Sequence, residues 1–227
     1  MTTTQPHVFF DLDGTLTDPA PGIVASFQHA QQALGREPWP AARLRGFIGP
    51  PLEHAMKQLF EGEDETLLGR AIQRYREHFA VHGMFDNRVY PGIQQALEAL
   101  AAAGVRLSIA TSKPQIFADS IVDHFDLRQY LTRVYGSELG GERSDKSELL
   151  AHALKSEGLS AGSLTRVAMV GDRQHDIVGA KTHGMLSVGV LWGYGTLQEL
   201  GGTQPDRLVI DVADLASVLC ELIGVAN

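Results

Sequence analysis

The sequence predicts an α/β protein in which a Rossmann-like core, a doubly wound parallel sheet, carries an inserted all-helical cap domain. Three observations lead to this prediction. A short apolar run at residues 8–10 stops at Asp11, as a buried strand does when a functional turn follows it. The stretch from about 19 to 88 shows only helical periodicity. Beyond it, strands alternate with helices to the end of the chain.

The helical stretch contains three apolar stripes at helical spacing. Their members are Ile23, Phe27, Ala30 and Leu34; Leu52, Met56, Leu59 and Phe60; and Leu68, Ile72, Tyr75 and Phe79. Gly35 ends the first helix, and prolines at 38, 40, 50 and 51 separate the helices from one another. Such stripes are ordinary packing faces, so they require no ligand.

Strand–helix alternation begins after Tyr90-Pro91-Gly92. An amphipathic helix is closed by Gly104, a strand follows at 105–110, and a helix opens at Pro114, because proline is favoured at the first helical position. Further strands are predicted at 133–137, 166–170, 187–191 and 208–210, with helices at about 146–157, 175–183 and 212–223. Right-handed crossovers bring the carboxyl ends of such strands to one edge, where these sheets bind ligands.

Length and composition are consistent with this organisation. The chain has 227 residues, enough for a Rossmann-like core at 1–17 and 89–227 and the inserted helical cap domain at 18–88. Apolar residues make up 44% and charged residues 20%, as in ordinary soluble proteins. The net charge is −8 and no run of Lys or Arg occurs, so we expect neither a nucleic acid polymer nor a membrane as partner.

The cysteine content and the N-terminal segment bear on location. A single cysteine, Cys220, rules out an internal disulfide and favours a reducing compartment. Residues 1–6 are short and polar, and no apolar stretch approaches the roughly 20 residues that span a bilayer. We therefore expect a cytoplasmic protein. The sequence leaves its oligomeric state open between a monomer and a homodimer.

The segment Asp11-Leu12-Asp13-Gly14-Thr15 carries the strongest chemical signal. Two carboxylates two residues apart repel each other in a dry cleft unless a cation lies close by. This spacing suits one carboxylate for nucleophilic attack and the other for proton transfer. Gly14 lets the backbone approach an anion and offers an N–H. The alternative is a surface Asx-turn after a strand, a common use of aspartate.

Three later strand ends carry complementary groups. Thr111-Ser112-Lys113 offers hydroxyls and N–H groups for a phosphate at a helix N-terminus, although such residues also serve as plain N-caps. Lys146 opens a helix, where a cation opposes the helix dipole and calls for an anionic partner; a solvent-facing lysine is the alternative. The carboxylates of Asp172 and Asp176 could complete an oxygen-rich Mg²⁺ site. Together these groups match the requirements of phosphoryl transfer.

In these motifs, and in their order along nearly the whole chain, the sequence resembles the haloacid dehalogenase superfamily. It resembles phosphatases with a helical cap, close to phosphoglycolate phosphatases and related 5′-nucleotidases. The resemblance implies that Asp11 is the nucleophile and becomes an aspartyl phosphate. Asp13 is then the general acid to the leaving alcohol and afterwards the base for water.

The same resemblance implies the roles of the remaining site residues. Thr111, Ser112 and Lys146 would hold the phosphate, and Lys146 would also restrain the nucleophile. Mg²⁺ would be bound by Asp11, by the backbone oxygen of Asp13 and by Asp172, with Asp176 in support. Relatives that cleave carbon–halogen bonds or phosphonates lack an acid at the place of Asp13, which argues against both reactions here.

The cap and the aromatic residues give weaker signals. Residues 45–52, which include Arg45 and Gly49, resemble the cap segment of phosphatases that faces the active site; a rigid turn before a helix is the alternative for Gly49. His175 could touch the substrate or be a plain surface residue. Trp192 could line the pocket, although core packing is the default for an aromatic residue.

One pair of histidines does not support a metal site. His78 and His82 have zinc-compatible spacing, but without an evident third ligand we interpret them as solvent-facing.

The preferred function is hydrolysis of a small phosphate monoester, such as 2-phosphoglycolate or a nucleoside 5′-monophosphate. The alternatives are a sugar-phosphate mutase, which would pass the phosphoryl group to a sugar, and a non-catalytic phosphate-binding module.

Overall fold

Six parallel strands form the main sheet, in a computed structural model that describes residues 5–225. The strands of the chain are β1 (His7–Phe10), β2 (Thr17–Asp18), β3 (Arg88–Val89), β4 (Arg106–Pro114), β5 (Arg133–Ser137), β6 (Val167–Gly171), β7 (Leu186–Val190) and β8 (Arg207–Val209). The order across the main sheet is β5-β4-β1-β6-β7-β8. The chain therefore winds outward from β1 in both directions, and β1 lies at the switch point where such sheets bind ligands.

Helices cover both faces of the sheet. The helices are α1 (Ala20–Ala33), α2 (Ala41–Leu44), α3 (Leu52–Leu59), α4 (Glu65–His78), α5 (Ile93–Ala102), α6 (Gln115–His124), α7 (Lys146–Ser156), α8 (Gln174–Thr182), α9 (Leu197–Gly202) and α10 (Leu215–Ile223). Phe9 and Met169 belong to a core cluster with residues of α7 and α8. Their strand neighbours Phe10 and Val170 belong to the cluster that contains residues of α5, α6 and α10. Because side chains alternate between the two covered faces of the sheet, β1 and β6 are apolar at nearly every position.

Every element from Ala20 to Gly83 is helical, and we refer to residues 20–83 as the helical insert. It consists of α1 to α4, a short 3₁₀ turn at Arg45–Phe47 and a π-helical turn at Phe79–Gly83. A Cβ atom at Gly22 would lie only 1.9 Å from the carbonyl oxygen of Gly83, so the absence of a side chain lets α1 meet the π-helical turn.

The helical insert is joined to the sheet through a two-stranded ribbon. Strands β2 and β3 pair antiparallel, with Thr17 opposite Val89 and Asp18 opposite Arg88. Arg88 also forms an ion pair with Asp18, with 2.7 Å between the guanidinium nitrogen and the carboxylate oxygen. Both connections to the helical insert therefore lie side by side.

The predicted fold class, a doubly wound parallel α/β sheet, is confirmed. The predicted start of a helix at Pro114 is wrong by one residue: Pro114 is extended and precedes α6, while β4 continues through it after an irregular register that begins at Ala110. The ribbon, α2 and α9 were not predicted, because two to six residues carry too little periodicity to be recognised. The division into a core at 1–17 and 89–227 and a cap at 18–88 stays a prediction. Within residues 5–225, no helix has both the length and the apolar character needed to cross a bilayer.

Candidate active site

Three buried aspartates meet at the carboxyl edge of the sheet. One carboxylate oxygen from each of Asp11, Asp172 and Asp176 lies within 4.8 Å of the others. Asp11 follows β1, Asp172 follows the adjacent β6, and Asp176 lies in the first turn of α8. The parallel pairing of β1 with β6 continues through a hydrogen bond from the Asp11 N–H to the Val170 carbonyl (2.9 Å). The pairing of β1 with β6 thus brings Asp11 to two acids that lie 161 and 165 positions further along the sequence.

Lys146 lies among these acids. Its side chain is 4% exposed, and its Nζ lies 2.8 Å from Asp176 Oδ1 and 3.1 Å from Asp11 Oδ1. It also donates a hydrogen bond to the Ala110 carbonyl (2.8 Å). Burial by itself would lower the pKa of Lys146, but Asp11 and Asp176 outweigh burial and raise it to about 12. The lysine therefore stays charged and accounts for one of the positive charges that the acids require.

A second lysine, Lys113, lies against Asp13. Its Nζ is 2.7 Å from Asp13 Oδ2, and only 6% of its side chain is exposed. Burial raises the pKa of Asp13, and Lys113 opposes this shift. The sequence analysis included Lys113 in a phosphate-binding run but gave it no role, since the contact joins residues 100 positions apart.

The charges of this cluster fit a divalent cation. Four carboxylates (Asp11, Asp13, Asp172 and Asp176) face two lysines, which leaves a formal charge of −2 when all are ionised. Burial, together with Asp176 and Asp11, raises the pKa of Asp172 well above its usual range. Burial also raises the pKa of Asp176 to about 6, although Lys146 opposes it. Mg²⁺ binds to closely spaced oxygen ligands, and this cluster offers such ligands with negative charge that the two lysines do not neutralise.

The turn after β1 depends on Gly14. Its φ is +84°, and a Cβ atom there would lie 2.3 Å from Asp172 Oδ2, so only glycine lets this turn pack against Asp172. The prediction that Gly14 offers a free N–H to a phosphate is wrong, because this N–H donates to the Thr17 carbonyl (2.7 Å) within the turn. Gly14 therefore makes room for Asp172.

Asp172 is held by residues to which the sequence pattern assigned no role. Its Oδ1 accepts a hydrogen bond from the Thr15 hydroxyl (3.2 Å), and its Oδ2 accepts one from the Tyr194 N–H (2.8 Å). A Cβ atom at Gly193 would come within 2.4 Å of Asp172, so the segment after β7 wraps closely around this acid. Trp192 donates its indole N–H to the Thr15 carbonyl (3.0 Å), which gives it a structural contact with the same turn.

Thr111 and Ser112 lie in the irregular part of β4 before Pro114, and not at a helix N-terminus as predicted. Both nevertheless line a cavity between the sheet edge and the helical insert, together with Asp11 and Asp13. This cavity encloses about 620 Å³, its open mouth included. The other residues that line it are Ile23, Phe27, Phe47, Ile48, Gly49, Pro50, Leu52, Tyr75, Arg76, Phe79, Lys113, Pro114 and Phe117. Its walls are therefore largely apolar and aromatic above a charged floor.

Of the two predicted cap residues, Gly49 lines this cavity and Arg45 does not. Arg45 is exposed, whereas Arg76 of α4 lines the cavity and forms an ion pair with Glu53 (2.9 Å). Gly49 has a φ of +107°, and a Cβ atom there would lie 2.7 Å from Arg173 Cγ. Arg173 in turn donates to the Ile48 carbonyl. Gly49 thus lets the helical insert contact the loop after β6.

The histidines lie outside this site. His175 is exposed and does not line the cavity. The structure adds His29 to the pair His78 and His82: the rings of His29 and His78 stack with centroids 4.7 Å apart, and those of His78 and His82 lie 5.1 Å apart. Across residues 5–225, only the aspartate cluster at 11, 172 and 176 brings three ligand atoms close enough for one metal ion.

The sequence model of a family described as haloacid dehalogenase-like hydrolase matches residues 8–190, more than half of the chain. The chain belongs to this family. Among curated relatives, a Pseudomonas aeruginosa protein named 5′-nucleotidase is 46% identical over 214 residues, which cover 94% of this chain and 95% of the relative.

Other relatives of this haloacid dehalogenase-like hydrolase carry different names. A Neisseria gonorrhoeae protein named phosphoglycolate phosphatase is 30% identical, with 89% of this chain and 88% of the relative covered. A Mycobacterium tuberculosis protein named tyrosine-protein kinase PtkA is 39% identical, with 96% and 72% covered. The crystal structure of a predicted phosphatase from Clostridium acetobutylicum has a TM-score of 0.90 and 35% identity and covers 96% of this chain and 99% of its own. The family and the relatives named 5′-nucleotidase, phosphoglycolate phosphatase and predicted phosphatase identify the chain as a phosphoric monoester hydrolase.

Proposed function

We propose that this hydrolase is a Mg²⁺-dependent phosphatase that cleaves small phosphate monoesters through an aspartyl-phosphate intermediate on Asp11. The observation that carries the proposal is the setting of Asp11. Its carboxylate lies at the switch point of the sheet and lines the cavity, 3.1 Å from Lys146 and within 4.8 Å of Asp172 and Asp176. A nucleophilic carboxylate beside positive charge is what an incoming phosphate group requires.

Each remaining site residue has a task in this proposal. Asp11, Asp172 and the backbone oxygen of Asp13 would hold Mg²⁺, with Asp176 in support. When bound, the cation neutralises charge on the phosphate oxygens, a contribution of several kcal/mol to the transition state. Thr111, Ser112 and Lys146 bind the phosphate oxygens, and the contacts of Lys146 with Asp11 and Asp176 restrain the nucleophile.

The reaction proceeds in two displacements. In the first, an Asp11 oxygen attacks phosphorus, the bond from phosphorus to the ester oxygen breaks, and Asp13 gives its proton to the departing alcohol. In the second, water attacks the aspartyl phosphate, Asp13 takes a proton from that water, and free phosphate leaves while Asp11 is regenerated. Burial of Asp13 favours the protonated carboxyl that the first step needs. General acid catalysis of this kind contributes about 10²–10⁴-fold to the rate.

The residues that line the cavity indicate which phosphate monoesters could bind. Phe27, Phe47, Tyr75 and Phe79 offer flat apolar surface, and Arg76 is the cation of the helical insert among the lining residues. Aromatic walls accept the base of a nucleoside 5′-monophosphate, while Arg76 suits the carboxylate of 2-phosphoglycolate. Both substrate types stay in the proposal, as the names of the relatives also suggest. Closure of the helical insert over the site would exclude water, and its opening would release product.

Phosphoryl transfer to an acceptor other than water is the second candidate. It would use the same aspartyl phosphate, and the relative named tyrosine-protein kinase PtkA supports keeping it in view. A sugar-phosphate mutase is one form of this alternative. A non-catalytic phosphate-binding module is disfavoured, because Asp11, Asp13, Lys146 and Asp172 are all present. We also propose a cytoplasmic location and a monomeric or homodimeric state.

The test is a panel of phosphate monoesters assayed for free phosphate with Mg²⁺ and with a chelator. The panel includes 2-phosphoglycolate, nucleoside 5′-monophosphates and sugar phosphates. We expect Mg²⁺-dependent release by the wild-type protein and none by Asp11→Asn, which retains the shape of the side chain and should keep the fold, as checked by circular dichroism. Asp86→Asn, a change at an exposed acid, is the matched control. Near-normal activity of Asp11→Asn would remove the nucleophile from the proposal. Isomerisation of a sugar phosphate that requires a sugar bisphosphate, without release of free phosphate in its absence, would favour the mutase.

A further inference from the structure

The two oxygens of the Asp13 carboxylate have different surroundings. Oδ2 is 2.7 Å from Lys113 Nζ, whereas Oδ1 is buried and has no hydrogen-bond partner among residues 5–225. Asp13 and Lys113 both line the cavity in which the proposed function places the substrate. One oxygen is therefore fixed by an ion pair, and the other is free to exchange a proton.

Lys113 is itself held from two sides. Its backbone N–H donates to Thr111 Oγ1 (3.3 Å), which ties the residue to the irregular end of β4. Its ammonium group lies 4.4 Å from the centroid of the Phe79 ring, a cation–π contact with the helical insert. Phe79 is 2% exposed and begins the π-helical turn, a distortion that is frequent at functional sites. The position of the Lys113 charge thus depends on both the sheet edge and the helical insert.

We propose that Lys113 is a positioning residue for Asp13: it holds Oδ2 so that Oδ1 is the oxygen that gives and takes the catalytic proton. The inference rests on the proposed function and adds a residue to it. In the first displacement the proton on Oδ1 passes to the ester oxygen as its bond to phosphorus breaks, and Lys113 stabilises the carboxylate that remains. In the second displacement a water proton returns to Oδ1 while the oxygen of that water binds phosphorus and the bond from phosphorus to the Asp11 oxygen breaks.

Leaving-group dependence separates this role from a structural one. A benzyl alkoxide needs a proton in order to depart, whereas p-nitrophenolate departs as a stable anion, so a residue that acts through Asp13 should matter mainly for benzyl phosphate. We expect Lys113→Met to lower kcat/KM by about 10–100-fold for benzyl phosphate and by less than about 3-fold for p-nitrophenyl phosphate, since the loss is a part of what general acid catalysis contributes. The ratio kcat/KM reports only the steps up to departure of the alcohol, so the second displacement, which is common to both esters, does not enter it. Lys113→Arg keeps the charge and should recover part of the loss.

The matched control and a double mutant sharpen the experiment. Lys57→Met makes the same substitution at an exposed lysine of α3 and should leave both rates unchanged. Asp13→Asn should show the same selective loss of kcat/KM for benzyl phosphate as Lys113→Met, and adding Lys113→Met to Asp13→Asn should cause no further loss of kcat/KM, because residues that act as a unit are not additive. Thermal unfolding of each variant shows whether it is folded.

The outcomes are distinct. Equal losses of kcat/KM for both esters, or a further loss of kcat/KM in the double mutant, would overturn the inference and leave the proposed function standing. A rise in KM of similar size for both esters, with kcat preserved, would also overturn it, because Lys113 would then bind substrate directly. A wild-type protein that releases phosphate from neither ester would overturn the inference together with the proposed function.

Discussion

Replacing Asp172 by asparagine should stabilise the metal-free protein and abolish its response to Mg²⁺. Asp172 is fully buried, and one of its oxygens lies within 4.8 Å of oxygens of Asp11 and Asp176. Asparagine keeps the shape of the side chain and can still accept the hydrogen bond from the Tyr194 N–H, but it removes one of the like charges. A single change should therefore move stability and metal binding in opposite directions.

The magnitude follows from the spacing of the carboxylates. At 4.8 Å and an effective dielectric constant of about 20, each pair repels by about 3.5 kcal/mol. Protonating Asp172 instead costs about 5 kcal/mol at about pH 7.5, because the ordinary pKa of aspartate is about 3.9. Asparagine avoids both costs and weakens the hydrogen bond with Thr15, worth about 1 kcal/mol. The net gain should be about 2–4 kcal/mol, or a rise of about 4–16 °C in Tm for a chain of this length.

Thermal unfolding followed by circular dichroism, in chelator and in excess Mg²⁺, measures both effects. Because the pKa of Asp172 is raised in the folded protein, ionisation destabilises that state only above the pKa of the unfolded chain, so the advantage of Asp172→Asn should vanish below about pH 4. Asp86→Asn, at an exposed acid, should change neither Tm nor the response to Mg²⁺. The reasoning is refuted if Asp172→Asn is no more stable than the wild type in chelator, or if Mg²⁺ stabilises both proteins equally.

Three further predictions concern the pH dependence of metal binding, the buried lysine and the packing of the helical insert. Because the folded metal-free protein holds the pKa of Asp176 at about 6, stability from this group is present below about pH 4 and is lost as pH rises through 6. Mg²⁺ affinity measured by calorimetry should therefore fall by up to about tenfold per pH unit below 6, since the Asp176 carboxyl must be deprotonated to bind the ion. A constant affinity from pH 7 to 5 would contradict this. Lys146→Met leaves Asp11 and Asp176 without their cation. It should therefore lower the free energy of unfolding in chelator by about 3–5 kcal/mol and abolish phosphate release. Denaturant unfolding that shows no loss of stability would contradict the buried ion pairs. Gly22→Ala forces a methyl group against the Gly83 carbonyl and should lower the free energy of unfolding by about 1–3 kcal/mol. Gly69→Ala adds a methyl group that meets no atom within 4 Å and should not destabilise the protein. Equal unfolding midpoints for the two variants would argue against the close contact at Gly22.

The residues of the candidate site differ in how well sequence reasoning could place them. Asp11 and Asp172 each follow an apolar strand, and parallel pairing was enough to predict that their carboxylates meet. Lys146 was found because its place at a helix start was electrostatically unfavourable without an anion. Lys113 had no such signal, since its partner Asp13 is defined only once β1 and β4 lie side by side. The N–H of Gly14 was misassigned because the hydrogen bond that engages it arises from the folded turn.

Sequence alone determined the alternation of strands and helices, the helical character of the stretch between the first two core strands and the set of acids at strand ends. These features follow from periodicity and from local chemistry, which neighbouring residues specify by themselves. Only the tertiary structure decided that Lys113 pairs with Asp13, that Phe79 lies over Lys113, that Arg76 and not Arg45 lines the cavity, and that the segment at 192–195 surrounds Asp172. Such contacts join residues far apart in the chain, and their geometry is fixed by strand register and by the packing of the helical insert on the sheet edge.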